Sequence, residues 1–386
     1  MTRKELVAAC LMSTAGAIVY LISPVLVGSA MDSMGLNSDQ AGLLIASYFA
    51  GYTLITTSAV VWLSRVNMRT TAWVSSLVFI TGLLSAANQT SFTGSIITMF
   101  IAGTGAGMLY GISITIVGQS DDPDRYFGFA LASQLLFGSV LLFAGPAWIG
   151  PNWGYTGILT ATAAFAALMS VAISWTPIAI AEGPVSPSGE PLKVPTSLVL
   201  ASIVAVLIWF MGYSGIYAFV ERIGVVSGLN GQQIGLVLSL TIITGLTGAL
   251  GAASLGDRYG KVKPHIAGAV GALITILLLN GQTNLLSYAL AIIFLTLSLN
   301  FWLAYMLGAV AAIDTSGRFA VLTTAALGVG ATIGPAIAGG LISGSTFLPM
   351  FIFAAIAIVA GLLVIVSVLQ RVTTRLTALP DNQELA

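Results

Sequence analysis

Few residues of this chain could do chemistry. It carries one histidine, His265, and one cysteine, Cys10. It contains no His-Glu-x-x-His, Gly-x-Ser-x-Gly or Gly-x-x-x-x-Gly-Lys-Ser/Thr, so it has no residue set for zinc hydrolysis, acyl transfer or ATP-driven work. Gly103-Thr-Gly105-Ala-Gly107 superficially matches a nucleotide fingerprint but follows no strand. A lone Cys10 forms no intrachain disulfide. No enzyme, metal, cofactor or nucleic-acid partner is expected.

The remaining candidates suit reversible binding. Trp209, Tyr213 and Tyr217 recur every four residues and share a helix face, as do Ser13, Gly16, Tyr20 and Ser23. Rings with a polar tip can hold an organic molecule and release it. Tyr110, Gln134 and Asn300 are further polar residues inside apolar runs, where a lone amide facing lipid is costly. Asn300 and Trp302 point to nearly opposite faces of one helix, and Asn300 is chosen for the cavity. Glu221 and Asp32 are the carboxylates expected to carry protons, since partial burial brings a carboxylate toward neutral titration.

The elements that must position these residues follow from charge. The 386 residues include 13 Lys and Arg and 13 Asp and Glu. Uncharged stretches run 6–31, 40–64, 70–120, 126–181, 194–220, 223–256, 264–313 and 319–370. A hydrocarbon core of about 30 Å takes about 20 apolar residues in helix, so the four short stretches hold one span each and the four long ones two. Turn-forming breaks at Ala87–Ser91, Gly150–Gly154, Asn280–Asn284 and Ser343–Thr346 divide the long stretches. Twelve spans are predicted, near 6–30, 39–63, 70–87, 92–118, 127–148, 155–177, 197–221, 231–255, 264–280, 285–312, 319–342 and 347–369. The first is too long for a signal-peptide core and reads as a retained helix.

Arg3, Lys4, Arg65, Arg69, Arg125, Lys193, Arg258, Lys261, Lys263, Arg318, Arg371 and Arg375 fall on one side of this trace, and Arg222 alone on the other. Basic loops stay in the cytoplasm, which predicts two cytoplasmic termini. A shift of 193 positions partly superposes the chain on itself: Leu36-Asn37-Ser38-Asp39-Gln40 falls on Leu229-Asn230-Gly231-Gln232-Gln233, Arg65 on Arg258, Arg125 on Arg318 and Tyr20 on Tyr213. The expected organisation is an N-terminal six-helix bundle over 1–177, a Pro-rich hydrated linker over 178–195, and a C-terminal six-helix bundle with a short tail over 196–386. Parallel repeats of this kind place a substrate site near the membrane midplane between them.

With its twelve spans, parallel repeat, central linker and Gly256-Asp257-Arg258-Tyr259-Gly260-Lys261 loop, the chain resembles the major facilitator superfamily of secondary transporters. The resemblance implies an all-α membrane protein of two pseudo-symmetric six-helix bundles, with spans 1, 4, 7 and 10 around the cavity. It also implies a gating role for Asp257, Arg258 and Lys261, together with Arg65, Arg125 and Arg318 at matching loops. At Leu63–Arg69 the first-half copy lacks the acid and both glycines. Gly330-Ala-Thr-Ile-Gly334-Pro335-Ala-Ile-Ala-Gly339-Gly340 is similar to a glycine-proline motif that antiporters of this family carry in span 5, although here it lies in span 11.

No ionisable residue sits at mid-span, which favours a neutral, zwitterionic or hydrophobic cargo. The expected function is proton-coupled efflux of such a small molecule across the inner (plasma) membrane by alternating access, by a monomer in the lipid bilayer. A uniporter or symporter of a neutral metabolite, or a lipid-handling protein on the same scaffold, is the alternative.

Overall fold

The computed structural model describes residues 2–120, 123–178, 195–256, 258–260, 262–281, 284–313 and 318–377. Hydrocarbon offers the backbone no hydrogen-bond partner, so each segment satisfies its own groups as helix. The helices are α1 (Arg3–Leu21), α2 (Ser23–Met34), α3 (Ser38–Trp62), α4 (Met68–Ala87), α5 (Phe92–Gly118), α6 (Pro123–Ala144), α7 (Gly150–Ser170), α8 (Thr196–Val226), α9 (Gly231–Ser239), α10 (Thr241–Leu255), α11 (Val262–Leu279), α12 (Leu285–Ile313), α13 (Arg318–Leu341) and α14 (Leu348–Thr377).

Ten described stretches are long and apolar enough to cross a bilayer. One of them, Arg125–Trp175, takes 51 residues and carries two spans. Its reversal is at Gly154, where φ 58 and ψ −152 give a backbone shape that glycine adopts at no steric cost. The Thr156 hydroxyl then donates to the Ala87 carbonyl at one face of the membrane, and Arg69 Nε donates to the Thr176 carbonyl at the other. Thus α7 returns antiparallel to α6, and with α3 the spans number twelve. They form two six-helix bundles, α1–α7 and α8–α14, with both ends of the chain on one side. That side is here called the terminal side, and the opposite one the far side.

Two spans expected as single helices are broken. The first breaks at Ile22 (φ −93, ψ 8), just before Pro24, whose nitrogen cannot donate to the carbonyl four residues back. The eighth breaks at Leu240, where the Thr241 hydroxyl donates to the Leu238 carbonyl at 2.6 Å. Span 7 continues past its expected end at 221 to Val226, so Glu221 and Arg222 lie within it. Of the expected linker, residues 179–194 lie outside the described residues.

The sequence repeat has a physical counterpart. Asn37 and Gln40 form a reciprocal capping box at the start of α3, and Asn230 and Gln233 form the same box at the start of α9. Each pair satisfies two backbone donors that a helix start leaves open.

Small residues set how closely the helices cross, because packing replaces hydrophobic attraction between helices in lipid. A Cβ on Gly103 of α5 would collide with the Tyr48 carbonyl of α3, and one on Gly105 would lie 2.5 Å from the Phe79 nitrogen of α4. Gly103→Val is expected to push α3 and α5 apart and cost about 1–3 kcal/mol. Gly111, where a Cβ meets nothing, should tolerate Ala. Thermal unfolding of the two purified variants in detergent checks this; equal midpoints would contradict it.

Candidate functional site

A chamber of about 300 Å³ lies between the bundles. The first bundle lines it with Tyr20 of α1, Tyr48, Phe49 and Tyr52 of α3, Tyr110 of α5 and Gln134 of α6. From the second come Phe210, Tyr213 and Tyr217 of α8, Thr241 and Gly245 of α10, Thr296 and Asn300 of α12, and Thr324 and Gly328 of α13. The lining contains six tyrosines and no Asp, Glu, Lys, Arg or His. Tyr20 and Tyr213, one repeat apart in sequence, meet across the pseudo-twofold and share a side-chain hydrogen bond.

Helix geometry explains which aromatic residues reach the chamber. Rings of Tyr213 and Tyr217 stack at 5.8 Å, and Tyr20 lies 5.8 Å from Tyr217. Four residues advance a helix by more than one turn, so Trp209 is rotated by about 80° from Tyr217. Trp209 therefore falls outside the chamber lining. It is fully buried and stacks on Trp302 with centroids 4.0 Å apart and planes 8° off parallel. On α12 the two faces separate accordingly: Asn300 lines the chamber, whereas Trp302 packs within the second bundle. Ser23 is buried in the first turn of α2, also outside the lining. Of the eight residues expected to bind cargo, the structure brings Tyr20, Tyr110, Gln134, Tyr213, Tyr217 and Asn300 together.

Tyr48, Phe49 and Tyr52 did not figure in the sequence expectation. Their signal was present: two tyrosines four residues apart on span 2, the same spacing as Tyr213 and Tyr217. Thr324 and Gly328 of span 11 carry no comparable mark.

On the far side the bundles meet directly. The Tyr217 hydroxyl donates to the Leu21 carbonyl at 2.7 Å, at the break in span 1. One turn further along α8, the Glu221 carboxylate lies against Gly28, where no Cβ would fit. Arg222 Nη1 then donates to Asp32 Oδ1 at 2.7 Å. Leu21, Gly28 and Asp32 are spaced seven and four apart and share a face. Glu221 is only 7% exposed, and its Oε2 has no hydrogen-bond partner. Elsewhere on this side Gly42 of α3 lies against the Pro335 carbonyl, and Gly339 of α13 against the Ser38 carbonyl. The glycine-proline stretch thus serves close helix crossings. Gly231 and Gly235 of α9 approach the Pro146 and Phe143 carbonyls, where a π-helical turn, Gly145–Ile149, ends span 5. Among the described residues, α2 packs more extensively than α1 on α8, and α9 more extensively than α10 on α6.

The residues expected to gate that side are only partly visible. Asp257 and Lys261 lie outside the described residues. Arg258 is exposed in the turn after α10, a turn that the Tyr305 hydroxyl holds by donating to the Gly256 carbonyl at 2.9 Å. Arg65 is exposed at the end of a 3-10 turn, the Arg125 guanidinium lies 5.7 Å over the Phe129 ring, and Arg318 is the first residue of α13.

A chamber between two repeated helical bundles is the arrangement of a membrane carrier, with a site midway across the bilayer. The sequence profile of the Major Facilitator Superfamily matches residues 8–320. The chain belongs to that superfamily. An uncharacterized MFS-type transporter, YceJ of Bacillus subtilis (strain 168), is 25% identical over 347 residues, covering 84% of this chain and 86% of the relative. Among solved structures, a D-xylose-proton symporter superposes with a TM-score of 0.74 at 13% identity, over 94% of this chain and 95% of that one. The nucleoside transporter NupG gives 0.72 at 12% identity over 95% and 99%. A bacterial homologue of the human lysosomal transporter Spinster, inward-facing and unoccupied, gives 0.70 at 14% over 98% of each. At such identities these likenesses establish the fold alone.

The placements of Trp209 and Tyr213 separate stability from binding. Trp209→Ala is expected to leave a cavity beside Trp302 and cost about 3–5 kcal/mol. Tyr213→Phe should leave the unfolding midpoint within a few degrees of the parent. Thermal unfolding of both checks this, and a stable Trp209→Ala variant would contradict the packing account.

Proposed function

We propose that this chain is a secondary carrier that exports a small uncharged, zwitterionic or hydrophobic organic molecule across the inner membrane by alternating access, driven by protons. One observation carries the cargo class: the chamber wall offers tyrosines, amides and hydroxyls but no formal charge. A strongly ionic cargo would lose its hydration there and gain no counter-ion.

The rocking units are the bundles over 1–177 and 196–386, joined by the linker at 178–195. Orientation is read from charge. Arg65, Arg69, Arg125, Arg258, Lys263 and Arg371 all lie on the terminal side, which favours cytoplasmic termini. With the far side closed, the chamber then faces the cytoplasm, the loading position for an exporter.

Support for proton coupling comes from Glu221. Asp32 of α2 and Tyr288 of α12 face it, and Tyr217 and Arg222 flank it on its own helix. Arg222 is engaged by Asp32, and the Tyr288 hydroxyl donates to the Val220 carbonyl. An ionised carboxylate without a partner in a dry seam is costly, so the seam closes around the protonated form. Opening the far side hydrates Glu221, which takes up a proton from outside before the seam closes again; loss of that proton toward the cytoplasm-facing chamber completes an inward proton movement, down its gradient, for each cargo moved out.

Efflux of preloaded Nile red, an uncharged dye, from energised cells tests the reading. Cells producing the protein should lose dye faster than cells lacking it, and an uncoupler should abolish the difference. Glu221→Gln, at equal protein level, should reduce efflux to that of cells without the protein. Uncoupler-sensitive efflux unchanged in Glu221→Gln would remove Glu221 from coupling, and uncoupler-insensitive efflux would remove the proton.

A further inference from the structure

Resting on the carrier reading, we infer that the chamber recognises a flat, uncharged aromatic compound with a single donor-acceptor edge, read by Asn300, and discriminates against polyols. Two inventories lead there, one of ring planes and one of hydrogen bonds.

The first concerns shape. Tyr20 lies nearly parallel to Phe210 (6.3 Å, 20°) and Tyr217 (5.8 Å, 28°), and Tyr213 nearly parallel to Tyr217 (13°). These rings form one wall of roughly aligned planes. Tyr52 and Tyr110, 5.9 Å apart, stand on the first-bundle side. Aromatic pairs gain most when offset-stacked or edge-on, so this wall favours a flat ring over a puckered one. A chamber of about 300 Å³ is at the small end of ligand pockets and suits a compact cargo of two to four fused rings.

Polar capacity gives the second inventory. Most chamber hydroxyls and one amide are already engaged. Tyr217 donates to Leu21, Thr241 to Leu238 and Thr296 to Ile292, while Thr296 also pairs with Thr244. Gln134 Nε2 donates to the Ser13 hydroxyl, and Tyr20 and Tyr213 bond each other. Gln134 also bonds Tyr110, so the Tyr48 and Tyr52 hydroxyls and the Asn300 amide keep the most capacity. The fully buried Tyr48 hydroxyl has no partner. Asn300 uses one amide hydrogen on the Thr296 carbonyl at 2.9 Å, which leaves one N–H and the carbonyl oxygen side by side. Gly245 faces this amide, and a Cβ there would lie 3.0 Å from Nδ2.

A sugar carries a hydroxyl on nearly every carbon; the engaged hydroxyls can accept from it but not donate to it, so most of its oxygens would enter this chamber without a donor, each at a desolvation cost. An aromatic lactam presents one N–H beside one C=O, the complement of what Asn300 offers. The likeness to sugar and nucleoside carriers is thus one of fold and not of chamber chemistry.

The test uses purified full-length protein in detergent and three probes: 2-quinolinone, N-methyl-2-quinolinone and D-xylose. Titrated thermal unfolding yields each affinity, because a ligand stabilises in proportion to the logarithm of its concentration over Kd. The expected result is saturable stabilisation by 2-quinolinone, affinity weaker by roughly tenfold for the N-methyl analogue, as one lost hydrogen bond predicts, and no shift with D-xylose. Asn300→Ala should erase the difference between the two quinolinones. Should that variant fail to fold, the parent protein still decides through the two compounds. Equal affinity for both, no binding of 2-quinolinone, or tighter binding of D-xylose overturns the inference. Absent 2-quinolinone binding with uncoupler-sensitive Nile red efflux intact overturns the cargo class alone; loss of both overturns the carrier reading beneath it.

Discussion

Lipid cannot hydrogen-bond a peptide group, and the architecture follows from that constraint. Among the described residues every span is helical, with breaks in the first and eighth spans at Ile22 and Leu240. At Ile22 the first span breaks just before Pro24, which has no N–H to give to the Tyr20 carbonyl, and the adjacent Leu21 carbonyl accepts from the Tyr217 hydroxyl of the other bundle. At Leu240 the eighth span breaks beside Thr241, whose hydroxyl folds back on Leu238. Both interruptions divide a far-side piece that packs across the interface from a terminal-side piece that packs across it less.

The same solvent sorts charge. Buried charge without a partner is costly, so Lys and Arg collect in loops and the chamber is left to neutral side chains. Glu221 stands against this rule. It lies in the seam between α2 and α8 with one carboxylate oxygen unpartnered, while the neighbouring Arg222 is committed to Asp32. An exposed ion pair such as Asp32–Arg222 contributes little by itself, about 0–1 kcal/mol. Its larger consequence is that Arg222 is committed to Asp32 and leaves Glu221 Oε2 without a hydrogen-bond partner in the seam.

Much of this was legible in the sequence, for identifiable reasons. Span number followed from charge-free length, and the repeat from the Asn37 and Asn230 boxes, because caps are local. The chamber positions of Tyr213, Tyr217 and Asn300 follow from helical phase. Trp209 did not follow, since a stripe at four-residue spacing drifts around the helix and its far end can face a neighbour within the bundle. Nor did Tyr48 and Tyr52: whether span 2 borders the chamber depends on the tilt of α3 against α13, which is set by glycines distant in sequence. The break at Ile22 was signalled by Pro24, but the far-side docking of α2 required the positions of Gly28 and Glu221 together.

Fold and cargo chemistry separate in this molecule. The scaffold superposes on carriers named for a pentose and for nucleosides, with TM-scores above 0.7. A scaffold constrains where a site lies, and the side chains decide what it holds. Here the hydroxyls that could have met a polyol are spent on their own helices or on each other, as Thr241, Thr296, Tyr20 and Tyr213 show. What remains open is a sheet of rings, the Tyr48 and Tyr52 hydroxyls and one amide edge. Such a wall gains selectivity less by attraction than by what it leaves unsatisfied, because each cargo hydroxyl without a partner adds its own desolvation cost.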